Sequence, residues 1–267
     1  MKKKIALLLS VAMVASLCLA GCGSKKKDAS ETKDAASMVY AVEQGSAGEQ
    51  AAKDNKWSTN PVQSQAKALM EVNSGTSDAA IIDLLMAGAM IGEGTSYPDM
   101  KYTDKLTTEE YGVGCRKGSD LAAYINNFFS EIYASGEMKK TADTYKVSDT
   151  LVEQKKAGEY VEGEDVKYIK NKGTLVVGIT EFEPMDYKDK DGNWIGFDAD
   201  LAKALAKKLG VKVKFVVINW DTKTMELDSK KIDVVWNGMT LTNEVKNSME
   251  CTNAYCNNAQ VVVVKSK

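Results

Sequence analysis

The strongest constraint on the fold is a repeated alternation of short apolar runs with amphipathic segments. Runs such as Leu175–Ile179 and Val261–Val264 are rich in valine and isoleucine, which is typical of strands buried on both faces. The segments between such runs carry apolar residues three or four positions apart, as in Leu201, Leu205 and Leu209, which is typical of helices. Strands that alternate with helices predict an α/β fold with mixed, mostly parallel sheets.

The alternation occurs in two blocks, residues 37–108 and 109–267, and a polar linker at 148–165 lies inside the second. The sequence therefore predicts a smaller lobe followed by a larger one. Local signals support the pattern. Ser46 and Glu49 have capping-box spacing, which places a helix start near Ala47.

A further helix start is predicted in the second block. Asp198 precedes the leucines at 201, 205 and 209, and Gly210 follows them. Aspartate favours the start of a helix and glycine its end, so we expect Asp198 to cap this helix.

Residues 1–21 have the features of a secretory signal peptide: early lysines, an apolar run and small residues at the end. The stretch Leu19–Cys22 resembles a bacterial lipobox, so we expect a lipid on Cys22. Residues 22–36 are polar and predict a flexible tether. No later run is long enough to cross a membrane. We therefore expect an exported protein anchored by lipid to the outer face of the bacterial cytoplasmic membrane.

The composition excludes several classes of function. The chain has no histidine, a single arginine (Arg116) and a formal net charge of -2, which argues against histidine-based catalysis and nucleic-acid binding. We expect no catalytic residues, no metal and no cofactor. Cys115 lies in an apolar run and predicts a buried free thiol. A disulfide between Cys251 and Cys256 stays open at this stage, because their spacing alone decides nothing.

Several stretches together carry a family resemblance: GFDADLA from Gly196, INWD ending at Asp221, NGMT from Asn237 and VEQGSAGE from Val42. They resemble the extracellular amino-acid-binding proteins of ABC importers, solute-binding protein family 3. The resemblance implies the periplasmic-binding-protein-like II fold, with two Rossmann-like lobes joined by a hinge around the ligand. It also implies a monomer that captures a small polar amino acid or related amine and delivers it to a membrane permease.

The order of these stretches differs from that of the family, in which the GFD and NGMT part comes first. The sequence therefore looks circularly permuted, with residues 148–165 joining the former ends. We expect the valine run to be a core strand of the larger lobe and the chain to end at a cut hinge. On this interpretation one covalent crossing remains near Leu106–Tyr111, and Lys267 lies beside Met38 in a looser hinge.

The resemblance also implies a set of ligand contacts. Asp83 is expected to bind the ligand's ammonium group, while Trp220 and Phe182 form aromatic walls. The Thr240 hydroxyl and the amides near Ser46 and Ala47 would hold a carboxylate. The NGMT stretch adds the neighbouring residues Asn237, Gly238 and Met239. Two further acids near the site are expected either to favour a cationic ligand or to be solvated rim residues: Glu43 and Glu181.

One departure from the family pattern affects function. Val245 stands where the family usually has an arginine for the ligand carboxylate. Either other donors hold the carboxylate or the ligand lacks one. Two alternatives to transport stay open: a lipid-anchored ligand sensor, and a rearranged copy with weakened binding.

Overall fold

Two β-sheets with helices on their faces organise residues 34–266, the part of the chain that the computed structural model describes. The signal peptide, the predicted lipid site Cys22, most of the tether and Lys267 lie outside this part. The α/β fold with two sheets that the sequence predicts is confirmed. Among residues 34–266, no helix combines the length and the apolar character needed to cross a membrane.

The described residues form thirteen strands, nine α-helices and three short 3-10 helices. The strands are β1 Val39–Glu43, β2 Ser58–Val62, β3 Ala79–Asp83, β4 Met100–Lys105, β5 Glu109–Cys115, β6 Thr174–Ile179, β7 Tyr187–Lys188, β8 Trp194–Ile195, β9 Lys212–Val217, β10 Val234–Thr240, β11 Glu250–Cys251, β12 Cys256–Asn258 and β13 Gln260–Lys265. The helices are α1 Ala47–Asp54, α2 Gln65–Ser74, α3 Leu84–Met90, α4 Leu121–Ala134, α5 Glu137–Thr144, α6 Glu164–Lys172, α7 Phe197–Leu209, α8 Lys223–Asp228 and α9 Asn243–Ser248.

The first sheet has the order β2-β1-β3-β13-β4 and forms what we call the small lobe. Strands β1, β2 and β3 run parallel, whereas β13 runs antiparallel to both of its neighbours. Helix α1 begins as the capping box predicts, because the Ser46 hydroxyl accepts the Glu49 amide at 3.1 Å. The parallel strands β1 and β3 end at the same edge, which brings Glu43 and Asp83 together.

The second sheet has the order β11-β5-β10-β6-β9, with β12 also paired to β5, and forms the large lobe. Strand β6 runs parallel to β9 and β10, and β5 runs antiparallel to β10. The sheet is therefore mixed, as expected. Its core includes three aromatic rings in contact, with Phe129 5.5 Å from both Trp236 and Tyr255.

The valine strand corrects the predicted lobe boundary. Strand β13 pairs with β3 and β4, so it belongs to the small lobe and not to the large one. A single residue, Ala259, separates it from β12 in the other sheet. The four valines are buried or half-buried. A central strand of either sheet would show the same apolar run, so the sequence pattern does not indicate which sheet contains it.

The predicted cut hinge is wrong for the same reason. The described chain crosses between the sheets twice, at Leu106–Thr108 and at Ala259, and both crossings are covalent. The start of β1 and the end of β13 lie on either side of β3. Two strand spacings place them about 10 Å apart, at one end of the small sheet and away from the hinge.

Asp198 does not cap α7, contrary to the prediction. Gly196 takes the cap position, and the Asp198 carboxylate accepts the Gly238 amide and the Tyr255 hydroxyl, each at 2.7 Å. Burial raises the pKa of Asp198 to about 7. The neighbouring Asp186 is buried too, and its pKa is raised by burial and by the charge of Asp198. Helix α7 is thus anchored beneath strand β10.

All three cysteines of the described chain are free thiols. Cys115 is buried as expected, and burial raises its pKa well above the usual range. Cys251 and Cys256 do not form the disulfide that the spacing left open.

A cavity-forming substitution tests the burial of the valines in β13. Val263 is fully buried in β13, so Val263→Ala should lower the free energy of unfolding by about 2 kcal/mol. The half-buried neighbour gives the matched control, and Val264→Ala should cost less than half as much. Urea titration measures both. Equal losses would contradict the difference in burial between these two neighbours.

The buried Asp198 carboxyl predicts a pH dependence of stability. Because its pKa is about 7 when folded and about 4 when unfolded, the folded state binds more protons between these values. The free energy of unfolding should therefore fall as the pH rises from 5 to 7. Asp198→Asn should flatten this slope by about 1.4 kcal/mol per pH unit, and the exposed Asp191→Asn should leave it unchanged. An identical slope in Asp198→Asn would contradict this assignment.

Candidate functional site

A cavity of about 410 Å³ lies between the two lobes. Its small-lobe wall comes from the ends of β1 and β3 and the start of α1. Its large-lobe wall comes from the end of β10, the turn at Trp220–Thr222 and helix α9. Ligands of open α/β sheets bind outside the carboxyl ends of strands, and the cavity has this position in both sheets.

The structure brings nine of the eleven predicted contact residues together around this cavity. They are Glu43, Ser46, Ala47, Asp83, Trp220, Asn237, Gly238, Met239 and Thr240.

The other two predicted contacts lie elsewhere. Phe182 is 2% exposed, and its ring packs edge-on against Tyr111 beneath Gly238, which keeps it out of the cavity wall. A Cβ on Gly238 would lie 2.5 Å from the Phe182 ring, so this close packing requires glycine. Glu181 lines a second cavity of about 350 Å³, beside Lys67 and Trp194.

Asp83 is held by side-chain amides. It is 3% exposed, and its carboxylate accepts hydrogen bonds from Gln65, Asn258 and Gln260, the last at 2.8 Å. The Gln65 carbonyl oxygen in turn accepts the Asp83 backbone amide at 2.8 Å. Burial, and then the charge of Glu109, raise the pKa of Asp83 to about 7. A cationic group in the cavity would stabilise the ionised form.

Glu109 joins this network at the hinge. Its Oε2 atom accepts the Thr240 hydroxyl and the Gln260 side-chain amide, each at 3.0 Å. The Asn258 amide adds a longer contact at 3.3 Å. Glu109 begins β5, directly after one crossing, and Asn258 and Gln260 flank the other. One carboxylate therefore connects both crossings, and it also engages the hydroxyl that the resemblance assigned to the ligand.

Glu43 is a second buried carboxylate in the cavity wall. It is 3% exposed, and its Oε1 atom has no hydrogen-bond partner among the described residues. Burial, and then the charge of Asp83, raise its pKa to about 8. The floor residue Asn237 is different, because its amide is fully engaged with Thr180 and Asp186. Asn237 therefore shapes the floor, and its side chain contacts the interior.

The two walls touch at one end of the cavity. The Gln44 side-chain amide donates to the Asp221 carboxylate at 3.1 Å, and the Lys223 ammonium donates to the Gly45 carbonyl at 3.1 Å. Gly45 has φ of +72°, and a Cβ there would lie 2.7 Å from the Asp221 Cα. This contact between the lobes therefore requires glycine at position 45.

Charge in the cavity wall comes mainly from acids. Val245 lines the wall, and Arg116 lies away from it, bound to Asp165 at 3.1 Å and to the Ile232 carbonyl at 2.9 Å. The sequence interpretation missed Lys223, which lines the cavity and lies 5.1 Å from the centre of the Trp220 ring. Burial lowers the pKa of Lys223, and the charge of Glu43 opposes this effect.

The sequence interpretation also missed Gln65 and Gln260, which hold Asp83 and line the cavity. Gln65 is the first residue of α2, and Gln260 the first of β13. A buried glutamine in the valine run was the available signal for the second of these, because buried amides need partners.

Comparison with known proteins gives a partial match. The family model of bacterial extracellular solute-binding proteins, family 3, matches residues 175–267. We call residues 175–267, which are similar to this family, the family 3 segment.

Individual relatives match a similar share of the chain. This chain is 38% identical over 88 residues to the L-cystine-binding protein of Escherichia coli (strain K12), a match that covers 33% of each protein. It is 36% identical over 95 residues to the arginine-binding extracellular protein of Bacillus subtilis (strain 168), covering 35% of this chain and 37% of the relative. The chain thus spans about a third of the length of these curated relatives.

A solved structure of an ancestral cationic amino acid solute-binding protein is 48% identical, with a TM-score of 0.31. The match covers 32% of this chain and 37% of that one.

The family 3 segment supplies one wall of the cavity. Trp220, the NGMT stretch and Val245 lie inside it, and so does the valine strand of the small lobe. Glu43, Ser46 and Asp83 in the facing wall lie outside it. The cavity therefore combines a wall from the family 3 segment with a wall from the earlier part of the chain.

The contact at Gly45 generates a prediction about closure. Gly45→Ala places a Cβ against the Asp221 backbone, so the lobes should move apart and the radius of gyration in solution scattering should increase. Gly75→Ala is the matched control, because Gly75 also has positive φ but open space around its Cβ position.

Both variants should lose about 1–2 kcal/mol of stability from the left-handed backbone conformation. Only Gly45→Ala should change the scattering. An unchanged radius of gyration in both variants would contradict the interlobe contact.

Proposed function

We propose that the protein is the substrate-binding component of an ABC importer. It captures a small polar amino acid or related amine between its lobes and passes it to a membrane permease. The observation that carries this proposal is the buried Asp83 carboxylate in the wall of the interlobe cavity. A buried carboxylate with a raised pKa is well suited to an ammonium group, because the pairing replaces lost hydration with a charge-assisted hydrogen bond.

The opposite wall supports the same assignment. Trp220 offers an aromatic surface in the cavity wall, and Lys223 offers an ammonium beside it. We propose that Lys223 and the amides at the start of α1 hold the ligand's carboxylate. These donors would replace the arginine expected at Val245. The Thr240 hydroxyl contributes to the hinge network in this proposal, because it already donates to Glu109.

We also propose that the protein binds its ligand without catalysis, acts as a monomer and is held outside the cell by a lipid on Cys22. The names of the relatives, which describe binding proteins for L-cystine and arginine, support the binding role.

The exchanged order of the lobes is part of the proposal. A strand from the end of the described chain completes a sheet whose other four strands come from near its start. The family match to residues 175–267 supports this interpretation, because it contains β13 together with β7 to β12.

Ligand screening tests the function directly. Thermal-shift measurements against the twenty amino acids, cystine and ornithine should give at least one stabilising ligand, because a ligand that binds only the folded state raises the melting temperature. Asp83→Ala should weaken that ligand at least about 30-fold in calorimetric titration.

Two controls make this result specific. Asp83→Asn keeps the size of the side chain and should still lose most of the affinity, whereas the exposed Asp228→Ala should bind as the unchanged protein does. The proposal would be contradicted if no compound of the panel raised the melting temperature, or if both Asp83 variants kept full affinity.

A further inference from the structure

Glu43 is a second buried acid in the cavity wall. It ends β1, faces the cavity and keeps one carboxylate oxygen without a partner. Asp83, by contrast, accepts three side-chain amides. A buried polar atom without a partner is uncommon and costly, so its position in a ligand cavity indicates a partner that arrives with the ligand.

The charged groups around Glu43 define what that partner is. Asp83 adds a second negative charge, and Thr180 and Gln65 are the hydrogen-bonding side chains that face it. Within the described chain, no lysine or arginine forms an ion pair with Glu43. The charge of Lys223 acts to lower the pKa of Glu43, but the Lys223 ammonium donates to the Gly45 and Trp220 carbonyls, each at 3.1 Å. Lys53 lines the cavity too, but it is paired with Glu49 at 3.1 Å.

We propose that Glu43 is a specificity-determining residue that binds a second cationic group of the ligand. This inference rests on the proposed function, in which Asp83 binds the first. The ligand class is then a small compound with two positively charged nitrogen groups, either a basic amino acid or a diamine. The Lys223 ammonium has three N–H donors and uses two of them on the carbonyls. Two buried acids and this lysine therefore match a ligand with two cationic groups and one carboxylate, which favours the basic amino acid.

The protonation of Glu43 predicts that protons are released when a cationic ligand binds. With a pKa of about 8, Glu43 carries a proton at pH 7 in the absence of a cation. A cationic group at its unpartnered oxygen stabilises the ionised form and expels this proton. Binding of a dicationic ligand should therefore release more protons than binding of a monocationic one, and its affinity should rise between pH 6 and pH 8.

A comparison of lysine with norleucine tests the role of Glu43, because norleucine lacks only the side-chain ammonium. Calorimetric titration of the full chain should show lysine binding at least about 30-fold more tightly than norleucine. Glu43→Gln should reduce this ratio to within a few-fold and leave norleucine binding unchanged or tighter. Glu137→Gln, an exposed substitution on α5, should keep the full ratio.

Cadaverine, which lacks the carboxylate of lysine, distinguishes a diamine ligand from a basic amino acid. Binding comparable to that of lysine assigns the site to diamines, and much weaker binding assigns it to basic amino acids. Titration in buffers of different ionisation enthalpy counts the released protons on the unchanged protein, so the test does not depend on the folding of a variant. Lysine should release more protons than norleucine.

Three results would overturn the inference: equal affinities for lysine and norleucine, a ratio unaffected by Glu43→Gln, or equal proton release. If neutral amino acids bind without any cationic preference, the inference fails while the proposed function holds. If no amino acid or amine binds, both fail.

Discussion

The hydrogen-bond network around Asp83 and Glu109 is the interaction on which the rest of the structure depends. Two carboxylates that approach each other inside a protein need donors, and the amides of Gln65, Asn258 and Gln260 provide them. Asn258 and Gln260 come from different sheets on either side of one chain crossing, and Glu109 directly follows the other. The network therefore holds Asp83 at the hinge between the lobes, where the proposed function places the ligand's ammonium group.

The cavity follows from this arrangement. Parallel strands of the small sheet bring Glu43 and Asp83 to one edge, and the large sheet presents Trp220 and Lys223 opposite them. Contact between Gly45 and Asp221 brings the walls together at one end of the cavity. Electrostatic interactions strengthen wherever a ligand displaces water from this space. Acidic side chains outnumber lysines among the residues that line the cavity, which favours ligands with positive charge.

Much of the fold could be predicted from the sequence, because periodicity and capping signals are local. The helix start at Ala47 and the strand that ends at Asp83 are examples. Nine of the predicted contact residues also line one cavity. The sheet to which the valine strand belongs could not be predicted, since four buried valines fit either sheet. Asp198 and Phe182 were assigned to the helix cap and the ligand wall, whereas long-range contacts with Gly238 place them beneath the floor.

The central claim is that Asp83 binds the ammonium group of a ligand enclosed between the lobes. A crystal structure of the protein with its best-binding amino acid or amine tests this most directly. The account predicts a ligand nitrogen about 2.7–2.9 Å from an Asp83 carboxylate oxygen, with Trp220 against the ligand. A ligand bound outside the interlobe cavity, or one whose nitrogen has no contact with Asp83, would contradict the account.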